Sequence, residues 1–493
     1  MNMDRAARVI YPEPKQVKWQ EGTLRIDKPQ VLTLPKNSQC GDFFAETWRN
    51  FTSGTSALTV NTTTQPENTF TLAAEGVPVL PDLAEKSTYA LKIDAQGIAA
   101  RAADETALRQ AWLSMLQMLN ARPGGSEISG FQIPCAEIQD YPLMKFRSAH
   151  LCIFPETSLK ALEKSIQMLG MHKYTHVVLE FWGMLKLDAL PELAWPQAYS
   201  KDQVKPLLQL VRDLGMKPVP MFNHWGHATA SRVRCGRHVV LDQNPLLEPL
   251  FEPDGWTWCL CNPETLKLLA AVRRELIEFF GEVEYFHLGC DEAYSHATCD
   301  ACRQHDPAKL LAEYLNTVNA DLKKQGIRPF IWGDALLDAS CWDGYIALSQ
   351  ADQRTHEALD LLSRDFIIAD WQYGIQDKTK NATVKHFMEH GFDVVTAPWH
   401  DLLNIDALGE IAIEQNAFGM MLTTWHTLPV HIDILFQAGN IMWCGKNTGS
   451  DNPQYRRMKV TCQAAFLRKI RKGPVDFTDA GWRSFETVEI RES

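Results

Sequence analysis

From about residue 145 onward, short apolar runs recur, each followed by a loop and then a helical stretch, and this repeat constrains the chain more than any other feature. The runs are "FRSAHLCI", "HVVLEF", "KPVPMF", "YFHLGC", "RPFIW", "FIIADW", "DVVTAPW" and "GMMLTTW", eight in all. Near-continuous apolar runs of this length suit strands buried on both faces. Between the first two, "SLKALEKSIQMLGMHK" places Leu159, Leu162, Ile166 and Leu169 at helical spacing and stops at Gly170. After the fourth, "PAKLLAEYLNTVNADLKKQG" does the same with Leu311, Leu315, Val318 and Leu322, ending at Gly326. Such strands alternating with helices over roughly 250 to 300 residues predict an α/β chain built on a (β/α)8 TIM barrel, and the strand count disfavours a doubly wound sheet.

The segment before the barrel reads differently. "STYALKIDAQGIAARA" alternates apolar and polar residues around a "DAQG" turn, as a hairpin does. "ADETALRQAWLSMLQMLN" then places Ala107, Trp112, Met115, Leu116 and Leu119 on one helical face behind Asp104 and Glu105. The predicted organisation is a small α+β domain over 1–140, the barrel over 141–445 and a C-terminal helical extension over 446–493.

Charge and composition exclude some functions. The net charge is −11, and the short basic cluster "RKIRK" is no stripe able to neutralise phosphates, so nucleic acid is not an expected partner. No apolar stretch reaches bilayer length, and "MNMDRAARVIYPEPKQ" lacks the apolar core of a leader. The expectation is a soluble cytoplasmic protein without a membrane partner. The 12 cysteines, mostly scattered singly in apolar segments, fit a reducing compartment with few or no disulfides. The 15 tryptophans exceed what packing needs, and flat sugar faces are one ligand class that aromatic rings suit.

Barrel chemistry lies at the C-terminal ends of the strands. Reading those ends gives Arg147 at the first strand, Glu180 and Trp182 at the second, "NHWGH" after the third, and Asp291 with Glu292 at the fourth. The later ends give Trp332 and Asp334, Trp371 and Tyr373, Trp399 with His400 and Asp401, and finally Trp425 and His426. Adjacent carboxylates repel unless something uses them. Acids and tryptophans concentrated at strand ends predict a sugar-binding active site.

These residues carry a resemblance. "HLGCDE" resembles the His-x-Gly-Gly-Asp-Glu signature of glycoside hydrolase family 20, the β-N-acetylhexosaminidases. "ALRQAWLSMLQML" resembles a helix of the small domain before that family's barrel, and "CLCNPET" and "WGHATA" are similar to stretches flanking its third-strand loop. The resemblance spans roughly residues 20 to 445. It implies exo-acting removal of terminal β-linked N-acetylhexosamine from an oligosaccharide or glycoconjugate, with retention and without a cofactor, the substrate's own acetamide oxygen attacking the anomeric carbon. By the same resemblance Glu292 is the general acid and base, its pKa raised by burial and Asp291, while Asp291 orients the acetamide and stabilises the oxazolinium charge. Arg147 matches an arginine that grips sugar hydroxyls and His227 a histidine supporting the general acid. Trp332, Trp371 and Trp425 match tryptophans that wall the acetamide and stack on the ring, with Asp334 after the first and Trp399 at the seventh strand end. The chain departs from the pattern at Cys290, in place of a glycine, and at Thr427, in place of a glutamate. It also lacks the family's seventh-loop tyrosine, leaving Tyr373 or Tyr294 to replace it. Two alternatives stand beside this reading: the same acids acting on a non-acetylated or modified β-glycoside, and a non-catalytic glycan-binding protein.

"HATCDACRQH" brings His296, Cys299, Cys302 and His305 together at uniform spacing. These are residue types of a tetrahedral structural zinc site, although the same spacing also stacks side chains along one helical face. The sequence names no protein partner and no oligomeric state.

Overall fold

The computed structural model describes residues 8, 10–52, 54–124, 127–228, 241, 244–428 and 433–445. The predicted extension over 446–493 therefore lies outside the described residues.

The first unit is a twisted, mainly antiparallel sheet. Its strands are β1 (Gln16–Ile26), β2 (Gln30–Pro35), β3 (Leu58–Thr63), β4 (Thr69–Ala73), β5 (Tyr89–Asp94), β6 (Gly97–Ala102), β7 (Asn120–Gly124) and β8 (Glu127–Asp140). They lie in the order β1-β8-β5-β6-β4-β2-β3, with β7 paired to β8. The "DAQG" turn joins β5 to β6, pairing Asp94 with Gly97. Helices α1 (Gly41–Phe51) and α2 (Glu105–Gln117) cover the sheet and bury Phe44, Trp48, Trp112 and Leu116 against Phe70 and Leu91. Asp104 caps α2 by accepting the Ala107 N–H at 2.7 Å.

All eight apolar runs of the second unit become strands of one closed parallel barrel. They are β9 (Phe146–Cys152), β10 (His176–Glu180), β11 (Lys217–Met221), β12 (Tyr285–His287), β13 (Arg328–Trp332), β14 (Ile367–Asp370), β15 (Asp393–Thr396) and β16 (Gly419–Thr423), with β16 pairing back to β9. The helices outside it are α3 (Leu159–Met171), α4 (Lys201–Asp213), α5 (Pro263–Phe280), α6 (Pro307–Lys323), α7 (Ala382–Glu389), α8 (Leu402–Glu414) and α9 (Asp433–Cys444). Local chemistry sets their starts: Ser158 caps α3, Ser200 and Gln203 form a capping box on α4, and Asn262-Pro263 and Asp306-Pro307 open α5 and α6. Phe146, Val178, Val219, Phe330, Ile367, Val395 and Met421 fill the barrel interior.

A buried polar cluster joins the two units under the barrel. Lys173 Nζ and Asp140 Oδ2 lie 2.9 Å apart, both side chains fully buried. The Tyr89 hydroxyl and the Trp443 indole N–H also donate to Asp140, at 2.7 and 3.0 Å. Both oxygens of this carboxylate are thus engaged, the condition under which a buried charge is tolerable.

Candidate active site

The pair Asp291–Glu292 sits where β12 ends at the barrel mouth, and the local backbone is unusual. Gly289, Cys290 and Glu292 have φ of 67°, 76° and 51°, in the left-handed region that L side chains avoid. At Gly289 a Cβ would lie 1.7 Å from Asn223 Oδ1, so no side chain fits. Cys290 takes the second glycine's place at the same positive φ, with its thiol turned back to the Leu288 carbonyl at 3.4 Å. No helix starts at this acid pair; the next one, α6, is capped by Asp306. The carboxylates diverge: the Asp291 side chain is 6% exposed and that of Glu292 is 29% exposed.

The loop after β11 lies directly on this turn. A Cβ at Gly226 would stand 1.8 Å from the Asp291 carbonyl oxygen, so "WGH" needs its glycine to approach. The next residue, His227, has φ 48° and places Nε2 3.0 Å from Glu292 Oε2 and 3.5 Å from Asp291 Oδ2. Trp182 stacks on the imidazole with ring centroids 5.9 Å apart, and Trp256 packs beside it at 4.4 Å. The Glu292 backbone is pinned at both ends: its N–H donates to Asp334 Oδ2 at 3.0 Å, and its carbonyl accepts the Trp256 indole N–H at 2.9 Å.

Electrostatics follow from this packing. Burial alone would lower the His227 pKa, but the carboxylates of Asp291, Glu292 and Glu180 outweigh it and raise it to about 9. Asp291 is pushed well above the usual carboxylate range by burial, reinforced by the acids Asp334, Glu292 and Glu180 against the opposing pull of His227. For Glu292 burial raises, but the hydrogen bond and charge of His227 and a hydrogen bond from Tyr294 prevail, so its pKa is lowered. The expectation of a raised Glu292 pKa is therefore corrected: the raised carboxyl is Asp291, while His227 draws Glu292 below its ordinary range. Asp334, buried, is raised to about 6.

The predicted wall residues divide. Trp371 donates its indole N–H to Asp334 Oδ1 at 2.9 Å, and its ring lies 5.1 Å from that of Tyr373. The Tyr373 hydroxyl oxygen accepts the Trp425 indole N–H at 2.7 Å, within electrostatic reach of Asp291 and Asp334. Trp399 packs on Tyr373 at 5.3 Å and is held by Thr427, to whose hydroxyl its N–H donates at 3.0 Å. Trp371, Tyr373, Trp399 and Trp425 are all half-buried at the mouth. Trp332 is not: it is 1% exposed, sealed into the barrel interior against His287 and under Trp425. Arg147 is corrected more sharply, being the second residue of β9 and therefore at the opposite end of the barrel from the acids. Its guanidinium donates to the carbonyls of Lys173 and Met144 at 2.8 and 2.7 Å and lies over Trp443. It stitches the two units together and cannot grip a sugar.

Glu180 is at the second strand end as read from sequence, and His150 and Trp256 join the site only with the fold. Glu180, fully buried, accepts from Asn223 Nδ2 at 2.7 Å, meets His150 Nε2 at 2.9 Å and accepts the Trp182 indole N–H. His150, on β9, faces Trp425 at 4.8 Å and so stands where Arg147 was expected. Its position near the end of "FRSAHLC" was the available signal; for Trp256, in a long loop, there was none. His224 is structural, between the Phe222 carbonyl at 2.6 Å and Arg273 at 3.2 Å. The expected zinc ligands also separate. Both His296 nitrogens are engaged, by Trp225 at 3.0 Å and the Pro307 carbonyl at 2.9 Å, and His305 is exposed. Cys299 and Cys302 instead meet Cys259, at 3.6 and 3.5 Å.

Comparison with known proteins agrees with this architecture. Residues 137–428 match the sequence family "Glycosyl hydrolase family 20, catalytic domain", and 7–141 match "Glycosyl hydrolase family 20, domain 2". The structure resembles a β-N-acetylhexosaminidase from Bacteroides fragilis NCTC 9343 (TM-score 0.68, 19% identity, 96% of this chain and 99% of that one). It also resembles an exo β-N-acetylglucosaminidase from Vibrio harveyi solved with N-acetylglucosamine (TM-score 0.68, 15% identity, 94% and 78%). Among curated proteins, human hexosaminidase D is 25% identical over 152 residues, 29% of each chain. A Bifidobacterium bifidum lacto-N-biosidase is 22% identical over 219 residues, covering 42% of this chain and 19% of that protein. The matched stretches thus span less than a third of either curated relative. With more than half of its length matched by the catalytic-domain family, and an Asp-Glu pair at the fourth strand end of a closed barrel, the chain belongs to glycosyl hydrolase family 20.

Proposed function

We propose that the protein is an exo-acting β-N-acetylhexosaminidase that removes terminal N-acetylglucosamine or N-acetylgalactosamine by a retaining, substrate-assisted mechanism. The observation that carries the reading is the Asp291–Glu292–His227 cluster: two carboxylates diverging from one turn and sharing one imidazole. Glu292, the more exposed acid, faces the leaving oxygen. Asp291 Oδ1 is buried and makes no hydrogen bond among the described residues, so it is available to accept the acetamide N–H.

The substrate's acetamide carbonyl oxygen attacks the anomeric carbon while the glycosidic bond breaks and the departing oxygen takes a proton from Glu292. That proton originates on His227, whose Nε2–H lies on the hydrogen bond to Glu292, and sugar binding, by excluding water, shifts it onto the carboxylate. Asp291, which the neighbouring His227 charge draws toward its ionised form against burial, balances the developing positive charge on the oxazolinium ring. Water then opens that ring as Glu292 takes its proton back. Tyr373 already accepts from Trp425, so its own O–H is left to donate to the acetamide oxygen, while Trp371, Trp399 and Trp425 supply the aromatic walls.

Thr427, in the family's glutamate position, donates its hydroxyl to the Thr424 carbonyl at 2.6 Å and brings no carboxylate to the outer sugar hydroxyls. No described helix is long and apolar enough to cross a membrane. The described cysteines are all free thiols, which supports a reducing, cytoplasmic setting and a role in processing glycan fragments. An inhibitor resembling the cyclised oxazoline intermediate tests the acetamide assignment. Binding at least about 100-fold tighter than free N-acetylglucosamine is expected of a site built for that intermediate. Equal binding of a sugar lacking the acetamide contradicts it.

A further inference from the structure

The cysteines around the acid pair form a second site that the hydrolytic mechanism does not use. The loop between β11 and α5 brings Cys259 and Cys261, and the segment after Glu292 brings Cys299 and Cys302. Cys259 Sγ lies 3.6 Å from Cys299 Sγ and 3.5 Å from Cys302 Sγ. Glu252 Oε1 is buried and makes no hydrogen bond among the described residues. Around a tetrahedral zinc with bonds of about 2.3 Å, sulfur atoms stand about 3.8 Å apart, close to these separations. A disulfide needs about 2.05 Å and joins two sulfurs, whereas Cys259 is nearly equidistant from two others.

The surroundings are built as a ligand shell. Cys259 and Cys302 are 4% and 0% exposed. Glu252, 1% exposed, accepts the N–H groups of Thr298 and Cys299 at 3.1 and 2.6 Å, fixing the turn that aims both thiols of Cys-x-x-Cys inward. The ligating atoms of Glu252, Cys259, Cys299 and Cys302 all lie within 4.8 Å of one another. Three thiols and a carboxylate converging from two separate loops are donor types of a tetrahedral zinc site.

We propose that Cys259, Cys299, Cys302 and Glu252 bind one structural zinc ion as three thiolates and one carboxylate, Glu252 Oε1 facing the ion while Oε2 holds the Cys299–Cys302 turn. Three thiols give up their protons as the ion enters. The ion ties the loop carrying Trp256, which holds the Glu292 carbonyl, to the chain that leaves Glu292. It acts as a clamp behind the acid and touches no substrate.

The test is metal analysis by plasma mass spectrometry on the full chain purified without chelator. About one zinc per chain is expected, released by a mercurial thiol reagent and captured by a pyridylazo dye. Cys302→Ser and Glu252→Gln are both expected to lose most of their zinc on dialysis against EDTA, while Cys261→Ser keeps it. Loss from Cys261→Ser with retention in Glu252→Gln would overturn this ligand set. A wild-type chain with under about one tenth of an equivalent of zinc after growth in zinc-replete medium, or peptide mass spectrometry showing a disulfide among these cysteines, would overturn the site itself. The wild-type measurement decides this even if a variant fails to fold.

Discussion

His227 Nε2 stands 3.0 Å from Glu292 Oε2, and both residues hold a left-handed backbone, with φ of 48° and 51°. Strain of this kind costs on the order of 1 kcal/mol per residue and persists where surrounding contacts over-determine it. Here the contacts fix backbone atoms: Gly226 lies on the Asp291 carbonyl, and the Asp334 and Trp256 side chains hold the Glu292 peptide groups. The result is one imidazole serving two carboxylates of opposite tendency.

That relationship sets the pH dependence. The proton that Glu292 delivers is held by the pair until His227 releases it, so kcat/KM in the free enzyme is expected to fall on the alkaline side near pH 9. His227→Gln removes this reservoir, and the alkaline limb should move to lower pH by more than one unit. The same shift bears on stability. The folded value of about 9 lies above the unfolded His value of about 6.5, so this contribution is complete below about pH 6.5 and lost as pH rises through about 9.

Trp256 and Asp334 position Glu292 without touching the leaving group. Trp256→Phe keeps the ring and deletes the N–H that holds the Glu292 carbonyl. A loss of roughly 5- to 50-fold in kcat with KM changed less than about threefold is expected, and steady-state kinetics check it. Asp334→Asn should lower kcat by about as much, through both the Glu292 N–H and Trp371.

Gly289→Ala is predicted to be far worse than Cys290→Gly, although both residues hold a positive φ. The new methyl would meet Asn223 Oδ1 at 1.7 Å, and Asn223 is fixed by its bond to Glu180. A loss above about 2 kcal/mol in denaturant titration is expected, whereas Cys290→Gly, which relieves a left-handed side chain, should stay within about 1 kcal/mol of the native protein.

At the opposite end of the barrel, Lys173→Met leaves Asp140 buried without its cation. A destabilisation of about 3–5 kcal/mol is expected, with activity at low temperature retained, because the site lies across the barrel. Thermal unfolding followed by tryptophan fluorescence measures it.

How much of this was legible follows from the physics of each feature. The barrel was, because strands buried on both faces leave unbroken apolar runs in sequence. The strand ends were legible where a run stops at Trp or an acid, as at Asp291. They misled at Arg147, where a charged residue at the start of β9 reads like one at its end, and at Trp332, whose ring turns into the barrel interior. Trp256 and Cys259 lie in a long irregular loop with no periodicity to say which strand end it covers. The Glu292 pKa direction turned on contacts with His227 and Tyr294 that no spacing encodes.

The central claim is tested most directly by release of p-nitrophenol from aryl β-N-acetylglucosaminide and β-N-acetylgalactosaminide, set beside their non-acetylated gluco and galacto counterparts, with Glu292→Gln in parallel. Hydrolysis confined to the acetamido pair, and reduced about 100-fold or more in the variant, is the predicted result. Hydrolysis of the non-acetylated glycosides at equal or greater rates, or activity unchanged in Glu292→Gln, would contradict the account.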